Sequence, residues 1–403
     1  MRARWALFSC VCLVFARHAR AGDVSFAGYV DVRLVVPGSE RSWLDGGLGK
    51  LRFGVRQPSP NFRVAEAIGQ ASIAFTQQIH TVVLARIEPQ DRAGLDLLEV
   101  YAAWRPQAGN TLRWSAKAGA FFPPVSLEND DLGWASPYTL TPSAINSWVG
   151  DELRTIGAEA GAEWHASATT FSASAAVFCC NEPAGVLIAK RGWTLGDRPT
   201  GLFERVNTPR AYRSGAPSAA AKFPQRRSLF QNIDGHTGWY GAVGWSVPDL
   251  GHIDVLYYDN NADPAARSAR DTSWRTRFWS ASYRDQWFGA TILVQAMRGD
   301  TAVRGDRLNT TDFSAAYILV SYDLDDWRLT ERAETFATRD RLVRRQDEDG
   351  HAFTTAAIWS ARSWLRLTGE LIVLCSRREE RILYEGPIER TDAQFQLSAR
   401  LSI

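Results

Sequence analysis

The chain has 403 residues, 45% of them hydrophobic and 22% charged, with a formal net charge of +2. No segment after the N-terminus reaches the roughly 18 consecutive apolar residues that a membrane-crossing helix requires, so a helical membrane protein is excluded. Length alone leaves open several domains or one large β structure.

The first segment, MRARWALFSCVCLVFARHARAGD, sets Arg2 and Arg4 ahead of an apolar run from Trp5 to Ala16 and closes on small residues at Ala19 and Ala21. Charged start, apolar middle and small-residue end in that order predict a secretory signal peptide over residues 1–21. Its removal takes four arginines and no acids and moves the net charge from +2 to −2. Nucleic acid is thereby disfavoured as a partner. Cys179, Cys180 and Cys375 remain, which do not make a disulfide framework or a zinc site.

From residue 22 onward the dominant period is two. It runs through VSFAGYVDVRLVV (24–36), TLRWSAKAGAF (111–121), WYGAVGWSV (239–247) and SWLRLTGELIVLC (363–375). At the C-terminus, TDAQFQLSARLSI sets Ala393, Phe395, Leu397, Ala399, Leu401 and Ile403 on one face and Gln394, Gln396, Ser398, Arg400 and Ser402 on the other. Segments of this kind fit a transmembrane β-barrel, apolar outside and polar inside, but a soluble sandwich also alternates.

The connections separate the two. Short ones fall near residues 76, 106, 165, 248, 284, 323 and 362, and between them lie long ones at 37–61, 89–95, 122–153, 181–236, 260–272, 299–310, 339–350 and 377–391. Alternation of tight turns with long loops is the habit of an outer-membrane barrel and not of a Greek-key sandwich. The expectation is an all-β, antiparallel transmembrane barrel over residues 22–403, of about sixteen strands, with Leu48–Arg56 as an extra hairpin arm inside the first long loop. Such a barrel is wide enough for a water-filled channel. Trp104, Trp114, Trp164, Trp245, Trp287, Trp327 and Trp364 fall beside the short turns, where an interfacial girdle belongs. Residues 62–76, 273–284 and 311–323 have mixed faces, and their registers are not fixed by pattern.

The segment GAFFPPVSLEND (119–130) ends a strand on Pro123 and Pro124 and opens an irregular stretch to Leu153. It resembles the porin superfamily and is most similar to the phosphate-selective porin O/P family and its uncharacterised relatives. The resemblance implies that this third long loop folds inward and constricts the channel, and that the protein forms a homotrimer. Phe121, Phe122, Leu132, Trp134, Tyr138, Leu140, Ile145 and Trp148 give the loop apolar surface for packing on an inner wall, although loops as a rule stay on the outside. The loop holds no lysine or arginine, whereas a phosphate channel needs cations at its narrowest point.

The expected pore constriction therefore joins Glu128, Asp130 and Asp131 of the loop to Lys117, Arg332 and Arg366 of the wall. Opposed charges there would either give weak ion selectivity or serve as salt bridges that hold the loop. The long loop 181–236 is rich in bases (Lys190, Arg191, Arg198, Arg205, Arg210, Arg213, Lys222, Arg226, Arg227) and is expected outside the cell, facing anionic solutes or lipopolysaccharide or simply solvent. The functional expectation is a Gram-negative outer-membrane porin for passive diffusion of small hydrophilic solutes. A surface adhesion barrel and a barrel enzyme are the alternatives. His80, His165, His236, His252 and His351 fit no nucleophile motif, and no cofactor motif or metal-spaced cluster appears in the sequence.

Overall fold

In lipid every backbone donor and acceptor must be satisfied within the protein, so strands cross a membrane only as a closed barrel. The computed structural model describes residues 23–55, 58–89, 94–106, 111–209, 226–268, 271–304, 307–384 and 386–403. The expected signal peptide, the turn at 107–110 and the bases Arg210, Arg213 and Lys222 lie outside them. Sixteen antiparallel strands close the barrel: β1 (Val24–Val36), β2 (Asn61–Ala74), β3 (Ile79–Ile87), β4 (Leu95–Trp104), β5 (Leu112–Phe121), β6 (Thr155–Ala166), β7 (Thr169–Cys179), β10 (Thr237–Val247), β11 (Gly251–Asp259), β12 (Trp274–Trp287), β13 (Ala290–Arg304), β14 (Leu308–Leu324), β15 (Trp327–Asp340), β16 (Glu348–Arg362), β17 (Leu365–Arg378) and β18 (Glu389–Ser402). β8 (Arg205–Asn207) and β9 (Arg226–Ser228) form a separate small sheet. Every barrel strand pairs with its chain neighbours, and β1 closes on β18 from Tyr29 opposite Ser402 to Val36 opposite Phe395.

The period-two reading holds where it was clearest. In β18, Phe395, Leu397 and Leu401 face outward and are exposed, whereas Gln394, Gln396, Ser398 and Arg400 face inward and are buried. In β1, Asp31 and Arg33 face inward between the outward Val30, Leu34 and Val36. The seven turn-side tryptophans are all exposed on the outside, and Trp327 stacks on Trp359 across strands at 5.6 Å. This is a lipid-facing wall with an aromatic girdle at its short-turn edge.

Two expectations need correction. Leu48–Arg56 is not a hairpin arm: its described part, Leu48–Val55, makes only isolated bridges, and the count of sixteen is reached without it. Its alternation of apolar and basic residues has another cause, because Leu48, Leu51 and Phe53 are buried in the interior and Lys50 and Arg52 have buried carboxylate partners. The turn expected near 284 lies at Phe288–Gly289, where both residues have positive φ (49° and 82°). A two-residue hairpin of that geometry favours glycine at its second position, and the signal was the single Gly289.

Candidate functional site

The two prolines after Phe122 cannot donate to a sheet ladder, so β5 stops and the chain leaves the wall. The segment 122–153 then makes its contacts with inner-wall residues of distant strands. Phe122 stacks on Trp134 with ring centres 4.1 Å apart, and the Trp134 indole N–H donates to the Asn146 carbonyl at 2.9 Å. Gly133 has φ +74°, and a Cβ there would come within 2.9 Å of Ile68 on β2, so the turn at this point requires glycine. Ser143 then caps α1 (Ala144–Glu152), accepting the Asn146 amide. Trp148 on α1 packs edge-on against Phe278 and Trp193.

Several backbone groups of the segment are met by charged and polar wall residues. Glu370 on β17 accepts the amides of Leu140 (2.6 Å) and Thr141 (2.9 Å), and Glu334 on β15 accepts that of Ala144 at 2.7 Å. Arg332 donates to the Thr141 carbonyl at 2.8 Å, Arg328 to that of Pro137 at 2.9 Å, and Gln295 to that of Val125 at 2.6 Å.

The six residues singled out from sequence divide into three groups. Glu128 and Arg332 pair at 3.4 Å with both side chains 0% exposed. Glu128 also accepts the Ser143 amide and the Asn146 side chain. Asp131 pairs with Arg366 at 3.2 Å, and both keep partial water contact. Asp130 pairs not with a predicted base but with Arg284 at 3.0 Å, and is 49% exposed. Lys117 does not meet the loop acids; it pairs with Glu159 on the adjacent strand at 3.3 Å and lies over the Phe121 ring at 4.3 Å. Arg284 was missed because the turn was placed on top of it.

Of the described bases of 181–236, Arg205 and Arg226 are exposed, whereas three others are ion-paired and buried. Arg191, on α2 (Ala184–Arg191), pairs with Asp151 at 2.6 Å and with Glu152; Arg198 pairs with Glu88 and Glu204, each at 2.6 Å; Arg227 pairs with Asp271. All three are buried. Asp197 bridges Arg33 (2.5 Å) and Arg52 (2.9 Å); burial pushes its carboxyl up, but the two guanidiniums outweigh that and hold it well below the usual carboxylate range. Lys50 pairs with Glu348 at 2.5 Å, and burial brings its ammonium down to about 8. Cys179 and Cys180 form a disulfide between adjacent residues, with φ +80° at Cys180, where the chain turns from β7 into this segment. The CC dipeptide was its only sequence signal.

Glu182 begins the same segment. The Tyr258 hydroxyl and the Asn260 amide donate to one carboxyl oxygen at 3.2 and 3.3 Å, and the other is buried without a hydrogen-bond partner. Burial pushes its carboxyl up to about 7 against an ordinary 4.5.

Two outcomes follow. Arg332→Met leaves Glu128 and Glu334 buried without their cation, a change that costs about 3–5 kcal/mol. Thermal unfolding in detergent should show the loss, and an unchanged transition would mean that the pair does not hold the segment. For Glu182 the folded protein binds the proton more tightly than the unfolded chain does. Its contribution is therefore fully present below about 4.5 and falls as pH rises to about 7. Amide exchange across 183–191, corrected for intrinsic rates, should be slower at pH 5 than at pH 8, and Glu182→Gln should remove the difference.

No protein-family model matches the sequence, and no curated protein matches it. Among solved structures, the chain is similar to the outer membrane channel DcaP of Acinetobacter baumannii (11% identity, 95% of this chain and 98% of that one, TM-score 0.57). It is similar also to the anion-selective porin from Comamonas acidovorans (8%, 95% and 100%, 0.54) and to the trimer form of OmpT, an outer membrane protein of Vibrio cholerae (12%, 95% and 100%, 0.51). The likeness at these identities is one of architecture: the chain has the fold of Gram-negative outer-membrane porins.

Proposed function

We propose that this chain is a porin, a channel through the outer membrane for passive diffusion of small hydrophilic solutes or ions. The observation that carries the reading is an inner wall that is charged and still touches water inside a barrel whose outside is apolar. Lys117, Arg366 and Asp254 on this wall all keep partial exposure. On this reading residues 122–153 are a constriction loop held inside the lumen, and Glu128 and Arg332 serve as its anchor, because groups with no water contact do not line a water path. Asp130, Asp131 and Arg366 remain candidates for contact with solute. The solute class is small and hydrophilic rather than phosphate in particular, since Arg284, Arg332, Arg366 and Lys117 each already have a carboxylate partner.

The purified protein should open discrete conductance steps in planar bilayers. Asp130→Asn with Asp131→Asn should shift the reversal potential toward anions under a salt gradient. Insertion without steps would favour a surface-binding barrel instead.

A homotrimer is part of the same proposal. On the outer face Ala102 lies opposite Ala118, Ala118 opposite Ala158, Ala116 opposite Ala160, and Ala160 opposite Ala175, forming a smooth apolar patch over β4–β7. A flat wall of this kind permits close approach of a second barrel. OmpT of Vibrio cholerae, similar in fold, has a trimer form. Unheated SDS electrophoresis should show a trimer, and Ala160→Trp should convert it to monomers that retain the barrel's heat-modifiable mobility.

A further inference from the structure

The two halves of the inner wall differ in what covers them. Along β12–β18 and β1 several inward side chains at mid-strand are sealed: Gln295, Leu319, Thr354, Gln396 and Arg33 are all 0% exposed, whereas Arg284 and Arg366, paired with Asp130 and Asp131, keep partial exposure. The wall partners that the segment 122–153 reaches across the barrel lie on these strands, at Arg284, Gln295, Arg328, Arg332, Glu334 and Glu370, while at its start the Phe122 amide is held by Glu99 on β4, next to β5. The segment leaves the barrel at β5 and is drawn across to the opposite side.

The near wall stays open. Ser115, Lys117, Glu159, Ser172, Ser174 and Asp254, on β5, β6, β7 and β11, all retain solvent contact on the inward face. Their register makes rows. Ser115 lies opposite Gly161, Gly161 opposite Ser174, and Ser174 opposite Ala242, a band of small residues that widens the gap. One row toward the long loops, Lys117 lies opposite Glu159, Glu159 opposite Ala176, and Ala176 opposite Tyr240, whose hydroxyl donates to Glu159. Beyond that row Phe178 and Phe278 stack on either face of Tyr258, with ring centres 5.0 and 4.9 Å away, all three buried.

We infer that the water path is an off-axis crescent along the inner face of β5, β6, β7, β10 and β11, and that the Lys117–Glu159 pair held by Tyr240 is its selectivity element. This rests on the channel reading. Its geometry follows from the loop's attachment: a segment bonded to the far wall leaves its gap at the near one. A cation and an anion 3.3 Å apart at the edge of that gap polarise it without excluding either ion sign, which suits small polar solutes.

The test uses the intact protein with Cys375→Ser, since that free thiol lies on the outward face of β17. Ser115→Cys and Ser174→Cys are compared with Thr354→Cys after treatment with cationic and anionic methanethiosulfonates. Modification at either serine position should lower single-channel conductance at least about twofold and shift the reversal potential according to the reagent's sign, because charge added to a pore lining acts on the passing ion. Thr354→Cys should remain unmodified in both. Lys117→Gln should shift the reversal potential toward cations and Glu159→Gln toward anions. No effect at both serine positions, or an equal effect at Thr354, overturns the path; no shift in either charge variant overturns the selectivity element. Absence of steps in the unmodified protein overturns the channel reading itself and this inference with it.

Discussion

A sixteen-stranded barrel encloses more space than its own side chains fill, and any chain inserted there must find partners for its backbone amides and carbonyls. Here the wall supplies them as acidic and basic side chains. Glu99 accepts the Phe122 amide, Glu370 those of Leu140 and Thr141, Glu334 that of Ala144, Glu348 that of Trp193, and Asp392 those of Ser39 and Glu40. Carbonyls are met from the same surface or its partners: Arg332 reaches Thr141, Arg378 reaches Lys190, and Lys50 reaches Arg191. Hydrogen bonds with one charged partner are the stronger kind, and those buried here replace the water that irregular backbone would otherwise need. The segments 38–55, 122–153 and 181–208 are thus attached to wall residues by one recurring device.

That device decides what the sequence can and cannot disclose. The outward face must be apolar at every second residue, so β1, β5, β17 and β18 are readable from period alone. β12 and β14 are not, and the reason is local. Phe278 on β12 and Phe313 on β14 point inward against Trp148 of α1, and Trp193 also meets Phe313. An inner wall that packs against inserted aromatics is itself apolar, both faces then look alike, and the alternation fades. The misreading of Leu48–Arg56 is the converse case. Apolar residues alternate with bases there because Lys50 and Arg52 each have a carboxylate waiting on another segment, a fact visible only once Glu348 and Asp197 are brought near.

The candidate site was legible to a similar depth. Arg332 and Arg366 were named from depth along the strands and Glu128 and Asp131 as acids of the loop, and the fold joins them as two pairs. The depth of a residue on a strand follows from counting, since the rise per residue is fixed. Which acid reaches which base does not, because the loop's path is set by packing of Phe122 on Trp134 and by the turn at Gly133. Asp130 therefore found Arg284, and Lys117 found its neighbour Glu159, a pairing that cross-strand register alone makes natural.

A buried ion pair costs desolvation that its own attraction only partly offsets, and replacing such a pair with apolar residues often stabilises a protein. Retention of so many here makes sense if they do something that apolar packing cannot. Apolar contacts tolerate sliding, whereas Asp197 held between Arg33 and Arg52, or Glu128 between Arg332 and the Ser143 amide, accepts one arrangement. A gap beside the loop keeps a defined width only if the loop has one position. On the proposed channel reading, the charges on the far wall that have no water contact set the dimensions of the passage, and those that still meet water act on what passes through it.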